Sequence, residues 1–544
     1  MHRLFLVHEL LMMICEHLYD EDDIPGASKV ALARLARTCK AFHAVALNAL
    51  WSNLDGIAPL IQCLPAEVTR LYLGPPLGTT VVGIKWAPRK EEWDIIQRYA
   101  SRVQRLRVLN PLCPVELSII FTLSRPPTSS PLFPNLRSLV WNDSRPQTIC
   151  FLQTLCGPLL TSLTLDCSSS NVRCDAAACA ILIALPFICP AVKVISLPSG
   201  SLCPQISNML LAWNHLEEVT CGEIDTVTFR HLVKQTNLRK LAFTLSQSIS
   251  QSLIDRAPFP QTFLRLCELE VHVSVLPSLI EFMQKMGIHP TSIRSRVDVG
   301  PTPCDMRAFF AFLTKHYVDV QPLSVSLQSL RRIQMPTVVQ PPLVPPTGNQ
   351  FNGPSHTGIH GSDLMPLAQF GSIDTLIIDV NCSIHFADDD IASLASAWPH
   401  LRIFSVNKTH GWVAKSDITQ IGLLKMLQCC PKLQTICIAI NTDTFTEVPL
   451  DRPGEGLQNM NVRTIAFADS VIQPRATTVV AAFLSDVFPR LNEVTAWKSD
   501  RMRVRRDANS TDPTVYAIRW EGVSRQIKGM IRIRQQERRW RRSE

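Results

Sequence analysis

A six-residue pattern, apolar-x-x-apolar-x-apolar, returns along the chain from Val68 to Ala496 and limits the possible folds more than any other feature. Clear copies are Leu136-Arg-Ser-Leu139-Val-Trp141, Leu160-Thr-Ser-Leu163-Thr-Leu165, Leu216-Glu-Glu-Val219-Thr-Cys221 and Leu238-Arg-Lys-Leu241-Ala-Phe243. Others start at Val68, Val103, Val192, Leu266, Ile373, Leu401, Leu433, Val462 and Leu491, and apart from one gap the starts lie 22 to 35 residues apart. The alternation at the end of each copy marks a short strand with one face buried. The intervening segments, clearest at Ile391 to Ala397, Ile418 to Gln428 and Val479 to Val487, carry helical spacing. A strand-loop-helix-loop unit of this size cannot bury its own apolar face, so neighbouring units must stack. Stacking also answers the length, since 544 residues exceed the ~250 to 300 at which one core stops growing.

The intervals bracket the leucine-rich-repeat period of about 20 to 29 residues. The expected fold class is therefore α/β: a curved solenoid with parallel strands inside and helices outside. The asparagine that many such repeats place after the strand is mostly missing, so the units are degenerate. Repeat order is poorest between Leu269 and Ile373, where Ile293 to Asp298 and Leu327 to Ile333 read as worn copies. Seven prolines between Met335 and Pro366 mark a mobile insertion at 335–366. Residues between the apolar positions should project from the open sheet face. They are Arg70, Tyr72, Arg105 and Arg107 early, Glu218, Glu268 and Glu270 in the middle, and Ile377, Cys437, Ala439, Ala466, Ala468 and Trp497 late. Ile377, Ala439, Ala466 and Trp497 are the expected contacts for a protein partner, with Trp497 as anchor. The alternative is that the tail or the proline-rich insertion folds over this apolar patch.

Ahead of the repeats, Leu10, Ile14 and Leu18 form one helical stripe with Leu6 and Met13 beside it. Asp20 to Asp23 and Pro25-Gly26 end that helix, Ser28 can cap a second one from Lys29 to Arg37, and Phe42 to Trp51 supply a third. Three short helices cannot hide all their apolar faces alone. The stretch Leu6-Val7-His8-Glu9-Leu10-Leu11 with Ile14 and Leu18, closing on Leu35 to Phe42 and Ala46 to Trp51, resembles an F-box. With the repeats behind it, the chain is similar to fungal F-box/leucine-rich-repeat substrate receptors. Val7 stands where the family usually has proline, which softens the helix start and leaves the apolar pattern intact. The resemblance implies a three-helix module that docks onto a Skp-type linker subunit of a cullin-RING ubiquitin ligase. Leu6, Val7, Leu10, Leu11, Ile14 and Leu18 would contact the linker or support the first helix, and Cys39 and Trp51 would fix the later helices.

The expected organisation is a docking module at 1–55, repeats at 56–500, and a basic cap and tail at 501–544. The formal charge of +8 lies wholly in the tail, where 13 Lys and Arg face 5 Asp and Glu. Tyr516, Ile518 and Trp520 alternate as a strand would, Val523, Ile527 and Ile531 suggest a helix face, and the segment to Gln535 suits a terminal cap. Arg538-Arg539-Trp540-Arg541-Arg542 could serve nuclear import or nucleic-acid contact, but one short cluster neutralises few phosphates and nucleic acid is not the expected partner.

No run of about 18 or more apolar residues, the length of a membrane span, occurs, and no signal peptide is expected. Eighteen cysteines without Cys-x-x-Cys spacing suggest reduced thiols, hence a cytoplasmic or nuclear setting. Neither phosphate loop, zinc-ligand spacing nor nucleophile elbow occurs, so no enzyme, cofactor or metal is expected. Asp388-Asp389-Asp390 reads as a helix cap. The expected function is the substrate-recognition subunit of a Skp-cullin-F-box ligase, with the substrate left open. The alternatives are a repeat scaffold outside any ligase and a nuclear or nucleic-acid-associated repeat protein that uses its basic tail.

Overall fold

The computed structural model describes residues 8–18, 27–74, 79–109, 115–127, 131–143, 145–165, 176–197, 204–254, 263, 265–317, 323–329, 358–448, 451–503 and 512–543. Leu6, Val7 and residues 335–357 of the proline-rich segment lie outside the described residues. The chain divides into two compact units, Met1–Ser252 with Phe263–Arg265, and Leu253–Thr262 with Leu266–Glu544.

The first unit opens with α1 (His8–Leu18), α2 (Ala27–Ala36) and α3 (Lys40–Ser52). Their small core is Leu11, Cys15, Leu32, Ala36, Val45 and Ala46. Helix α3 runs directly into β1 (Asn53–Asp55). After β1 come β2 (Thr69–Gly74) and β3 (Thr79–Ile84), which form an antiparallel hairpin, and β4 (Arg105–Leu109). The ladder continues through β5 (Ser138–Asn142), β6 (Ser162–Leu165), β7 (Val194–Ser196), β8 (Glu218–Glu223) and β9 (Lys240–Thr244). Strands β1 and β4 to β9 pair in parallel, each with the next. In register they set Leu54, Leu106, Leu139, Leu163, Ile195, Val219 and Leu241 in one row, all buried. The middle apolar position of the pattern thus becomes a continuous core.

The second unit repeats this construction with β10 (Glu268–Val273), β11 (Ser292–Val297), β12 (Leu323–Ser329), β13 (Ile359–His360), β14 (Ile373–Asp379) and β15 (Ile384–His385). It ends with β16 (Ile403–Val406), β17 (Thr435–Cys437), β18 (Thr464–Ala466) and β19 (Glu493–Thr495). Leu269, Ile293, Val325, Leu376, Phe404, Ile436, Ile465 and Val494 form its buried row. The connecting helices carry ordinary start and stop signals. Thr302 and Asp305 form a capping box, with Pro303 in the first turn, for the helix Pro303–His316. Gly287, at φ +57°, ends the helix Leu276–Met286.

Four expectations need correction. The copy at Val68 feeds the hairpin rather than the ladder, so Arg70 and Tyr72 do not project from a rung; both bind Glu116, each at 2.7 Å. Strand β1 is a rung the pattern missed and β12 one it misplaced, beginning four residues before Leu327, whereas β11 falls on the worn copy at Ile293 to Asp298. The last part of the proline-rich segment is built in: Ile359 is buried and β13 pairs with β15. Finally, Tyr516 to Trp520 belong to the helix Pro513–Ser543. Asp512 accepts from the Thr514 N–H at 2.9 Å and Pro513 takes the first position, an Asp-Pro helix start that outweighs the alternation.

One glycine in the second unit is required by its surroundings. Gly411 sits at φ +74°, where an added Cβ would lie 2.6 Å from Asp469 Oδ2. That carboxylate receives the Trp412 and Val413 N–H groups at 2.6 and 2.9 Å and cannot retreat without losing them. Gly411→Ala should therefore destabilise by about 2 kcal/mol or more, combining backbone strain with the clash, as read from urea midpoints. An unchanged midpoint would contradict this description of the loop.

Candidate docking surfaces

Helix α1 carries two apolar stripes. Leu11 and Cys15 turn inward onto α2 and α3. The stripe picked out by sequence lies beside this inner pair and is more open: Leu10 is half-buried, while Met13, Ile14 and Leu18 are 57, 42 and 40% exposed. Leu11, at 3% exposure, supports the helix from within the core. Cys39 is the extended residue before α3, its carbonyl accepting from the His43 N–H at 3.1 Å. Half-buried Trp51 packs on Tyr99 with ring centroids 4.6 Å apart. Lys29 Nζ on Asp55 at 2.8 Å, Gln104 N–H on the Ser52 carbonyl at 2.9 Å, and Arg102 on Asn48 tie the helices to the first rungs. The open stripe is thus carried on a fixed support.

The late-repeat residues are arranged differently from expectation. Ile377 and Ala466, both half-buried, share one row of the sheet with Ser405 and Cys437 between them, and Cys437, expected to project, is buried. Ala439 and Trp497 do not project. Strands β17 and β19 end at Cys437 and Thr495, so strand alternation no longer governs residues 439 and 497. Trp497 has φ +55°, as Asn407 and Ala468 have φ +51° and +39° at comparable turns. The turn tucks the indole in: Nε1 donates to the Ser470 carbonyl at 2.9 Å and the ring stacks on Tyr516, leaving Trp497 9% exposed. The tail helix covers it.

Two clefts remain beside this ring. One, of about 320 Å³, is lined by Ala439, Asn441, Asp443, Asp469, Trp497 and Tyr516 among others. The second, of about 370 Å³, lies on the sheet face and includes Lys408, Ala466, Thr495, Trp497 and Lys498. Trp497 is the wall common to both; the first cleft holds Asp469 and the Lys415–Asp443 ion pair, and the second Lys408, Lys498 and Asp500. Of the four residues expected to contact a partner, three line these clefts and Ile377 lies outside them. That the tail folds over this patch is the alternative the sequence offered; that Tyr516 is the residue meeting Trp497 depends on how the helix docks.

No helix among the described residues is long and apolar enough to cross a membrane. Three acidic side chains divide their work: Asp390 caps its own helix at the Ala387 N–H, 2.9 Å, and Asp388 caps the next one at the Thr419 and Gly422 N–H groups, 2.7 and 3.0 Å. Asp389 stands exposed, 3.8 Å from Lys425.

One constellation escaped the sequence. His410 Nδ1 donates to Asp379 Oδ1 at 3.0 Å, and its Nε2 lies 3.4 Å from Ser329 Oγ. The order is that of a hydrolytic triad, but all three residues are buried and Ser329 Oγ accepts the Asn381 N–H at 3.1 Å. A nucleophile needs access to its substrate, so the trio is a lock joining three rungs. Burial raises the Asp379 pKa, but hydrogen bonds from His410 and Thr409 outweigh it and hold the carboxyl below its ordinary value. With the folded pKa depressed, the carboxylate stabilises fully above the unfolded value of ~3.9, and this is lost as pH falls through the folded value. Asp379→Asn should lower stability at neutral pH by about 1 to 3 kcal/mol, with the gap to wild type narrowing below about pH 4. Denaturation at both pH values tests this, and a gap that widens in acid contradicts it.

A family model described as F-box-like matches residues 8–56. No curated protein matches the chain significantly. Among solved structures, one titled as the Rad7 and Elc1 complex in yeast aligns at a TM-score of 0.34 and 11% identity, over 66% of this chain and 81% of that one. A likeness of that size decides nothing about function. The match at 8–56 spans α1 to α3 and β1, the segment whose outer stripe is left uncovered. Residues 8–56 of this chain are an F-box-like domain, and parallel β/α repeats follow it.

Proposed function

We propose that this chain is the substrate-recognition subunit of a Skp-cullin-F-box type ubiquitin ligase. Leu10, Met13, Ile14 and Leu18 take the linker subunit, and a protein substrate binds the late repeats at the clefts beside Trp497, with Ile377 and Ala466 on the adjoining sheet face. The observation that carries this reading is the open stripe on α1 of an F-box-like domain whose inner stripe already fills its core. Leu6 and Val7 belong to the same proposed contact. Catalysis in such an assembly is by proximity, and this chain contributes binding alone. Affinity purification with mass spectrometry tests it: a Skp-type linker and a cullin should co-purify with the chain. Their absence from purified intact chain would contradict the ligase reading and favour a free-standing scaffold.

A further inference from the structure

The helix Pro513–Ser543 is anchored along one side only. Tyr516, Ala517, Trp520, Val523, Ile527 and Ile531 are buried. Arg534 closes the contact, 3.4 Å from Asp486 Oδ1 and 3.2 Å from the Ala482 carbonyl. None of residues 535–540 is buried, so the helix runs on past the surface that holds it. It contains nine Lys and Arg against two Glu, a net charge of +7, whereas residues 1–500 are balanced at 41 against 41.

The positions of these cations matter more than their number. Arg525, Lys528, Arg532 and Arg539 are separated by three, four and seven residues, which places them on one side of the helix and away from the buried stripe. At 1.5 Å per residue they span about 21 Å. All four are exposed, and among the described residues Arg525, Lys528 and Arg532 make no ion pair. The sequence shows only the compact cluster near Trp540; the continuous helix extends it into a row. Beside the row stands Trp540, 59% exposed.

A row of cations fits a linear polyanion, and an indole open to solvent next to it offers a stacking platform for an unpaired base. A duplex keeps its base faces covered and would leave Trp540 idle. A lipid surface needs a broad apolar face, but the apolar side of this helix is already used against the repeats, leaving Ile533 and Trp540 in the free stretch. We propose that the outer side of the helix from Arg525 to Trp540 binds single-stranded nucleic acid, with phosphates on Arg525, Lys528 and Arg532 and a base stacked on Trp540. This site is separate from α1 and does not depend on the ligase reading.

The test is fluorescence anisotropy on the full chain with labelled oligo(U), oligo(dT) and a duplex of equal length, alongside co-sedimentation with phosphatidylserine/phosphatidylcholine vesicles. Single strands of either sugar should bind at about 0.15 M salt, more tightly than the duplex, and the vesicles should not bind. The triple variant R525Q/K528Q/R532Q should flatten the slope of log K against log salt by about 2, at ~0.7 for each phosphate no longer neutralised. Trp540→Ala should weaken binding roughly tenfold with the slope kept. These side chains are exposed, so both variants should melt with the wild type, which separates a binding defect from a folding defect. Absence of single-strand binding, duplex or vesicle binding of equal strength, or full affinity in Trp540→Ala would each overturn the proposal.

Discussion

Trp520→Ala should cost about 3 to 5 kcal/mol, the range for emptying a large buried aromatic site. The indole is 1% exposed, stacks on Phe467 with centroids 4.8 Å apart, and donates Nε1 to the Ser470 carbonyl at 2.9 Å. The same carbonyl accepts the Trp497 indole at 2.9 Å, so an indole from the last repeat and one from the tail helix meet on one acceptor. Removing Trp520 releases the tail helix where it passes β18 and β19, and with it the cover that Tyr516 gives Trp497. Trp520→Phe keeps most of the apolar area and loses one hydrogen bond, so about 1 kcal/mol is expected. Urea denaturation of the two variants measures both effects. A Trp520→Ala loss below about 1 kcal/mol would mean that the helix rests on the repeats without being part of their core.

Replacing Leu10 and Ile14 together by aspartate should abolish linker binding while the chain stays folded. Each aliphatic buried in the complex is worth roughly 1.5 to 3 kcal/mol, and each new carboxylate would be desolvated without a partner. The summed loss exceeds what a micromolar complex, at about 8 kcal/mol, can spare. Because neither Leu10 nor Ile14 belongs to the core cluster around Leu11 and Cys15, the far-ultraviolet circular dichroism and the melting temperature should hold. Retained pull-down by the folded double variant would remove the ligase assignment.

The repeats were legible because their pattern has a simple physical cause: in copies that form rungs, the apolar positions, such as Leu401, Phe404 and Val406, face the core. Where that cause is diluted, the signal fades. In β11 the inward position after Ile293 is Ser295, 2% exposed and buried as a serine, which breaks the signature. β1 offers only Leu54 between two polar residues, because α3 leads into it without a loop.

The apolar stripe on α1 was legible too, though only the packing of α2 and α3 decides which apolar residues are inside. Trp497 was misplaced for a local reason: strand alternation holds only while the backbone is extended, and φ +55° ends it. The lock of Ser329, His410 and Asp379 has no local signature, since its members are separated by 50 and 31 residues and meet only when the rungs are in register.

The most direct measurement is a paired titration of purified Skp-type linker into Ile14→Ala and Leu11→Ala, with the melting temperature of each. Ile14 lies on the open stripe and Leu11 beneath it. Ile14→Ala should bind at least tenfold more weakly, because ~1.5 kcal/mol or more of apolar burial in the complex is removed, and melt with the wild type. Leu11→Ala should lower the stability of the helical domain by about 2 kcal/mol or more and, at a temperature where that domain is still folded, bind the linker with wild-type affinity. Wild-type affinity in Ile14→Ala, or no interaction between linker and wild-type chain, would contradict the assignment of α1 as the docking surface.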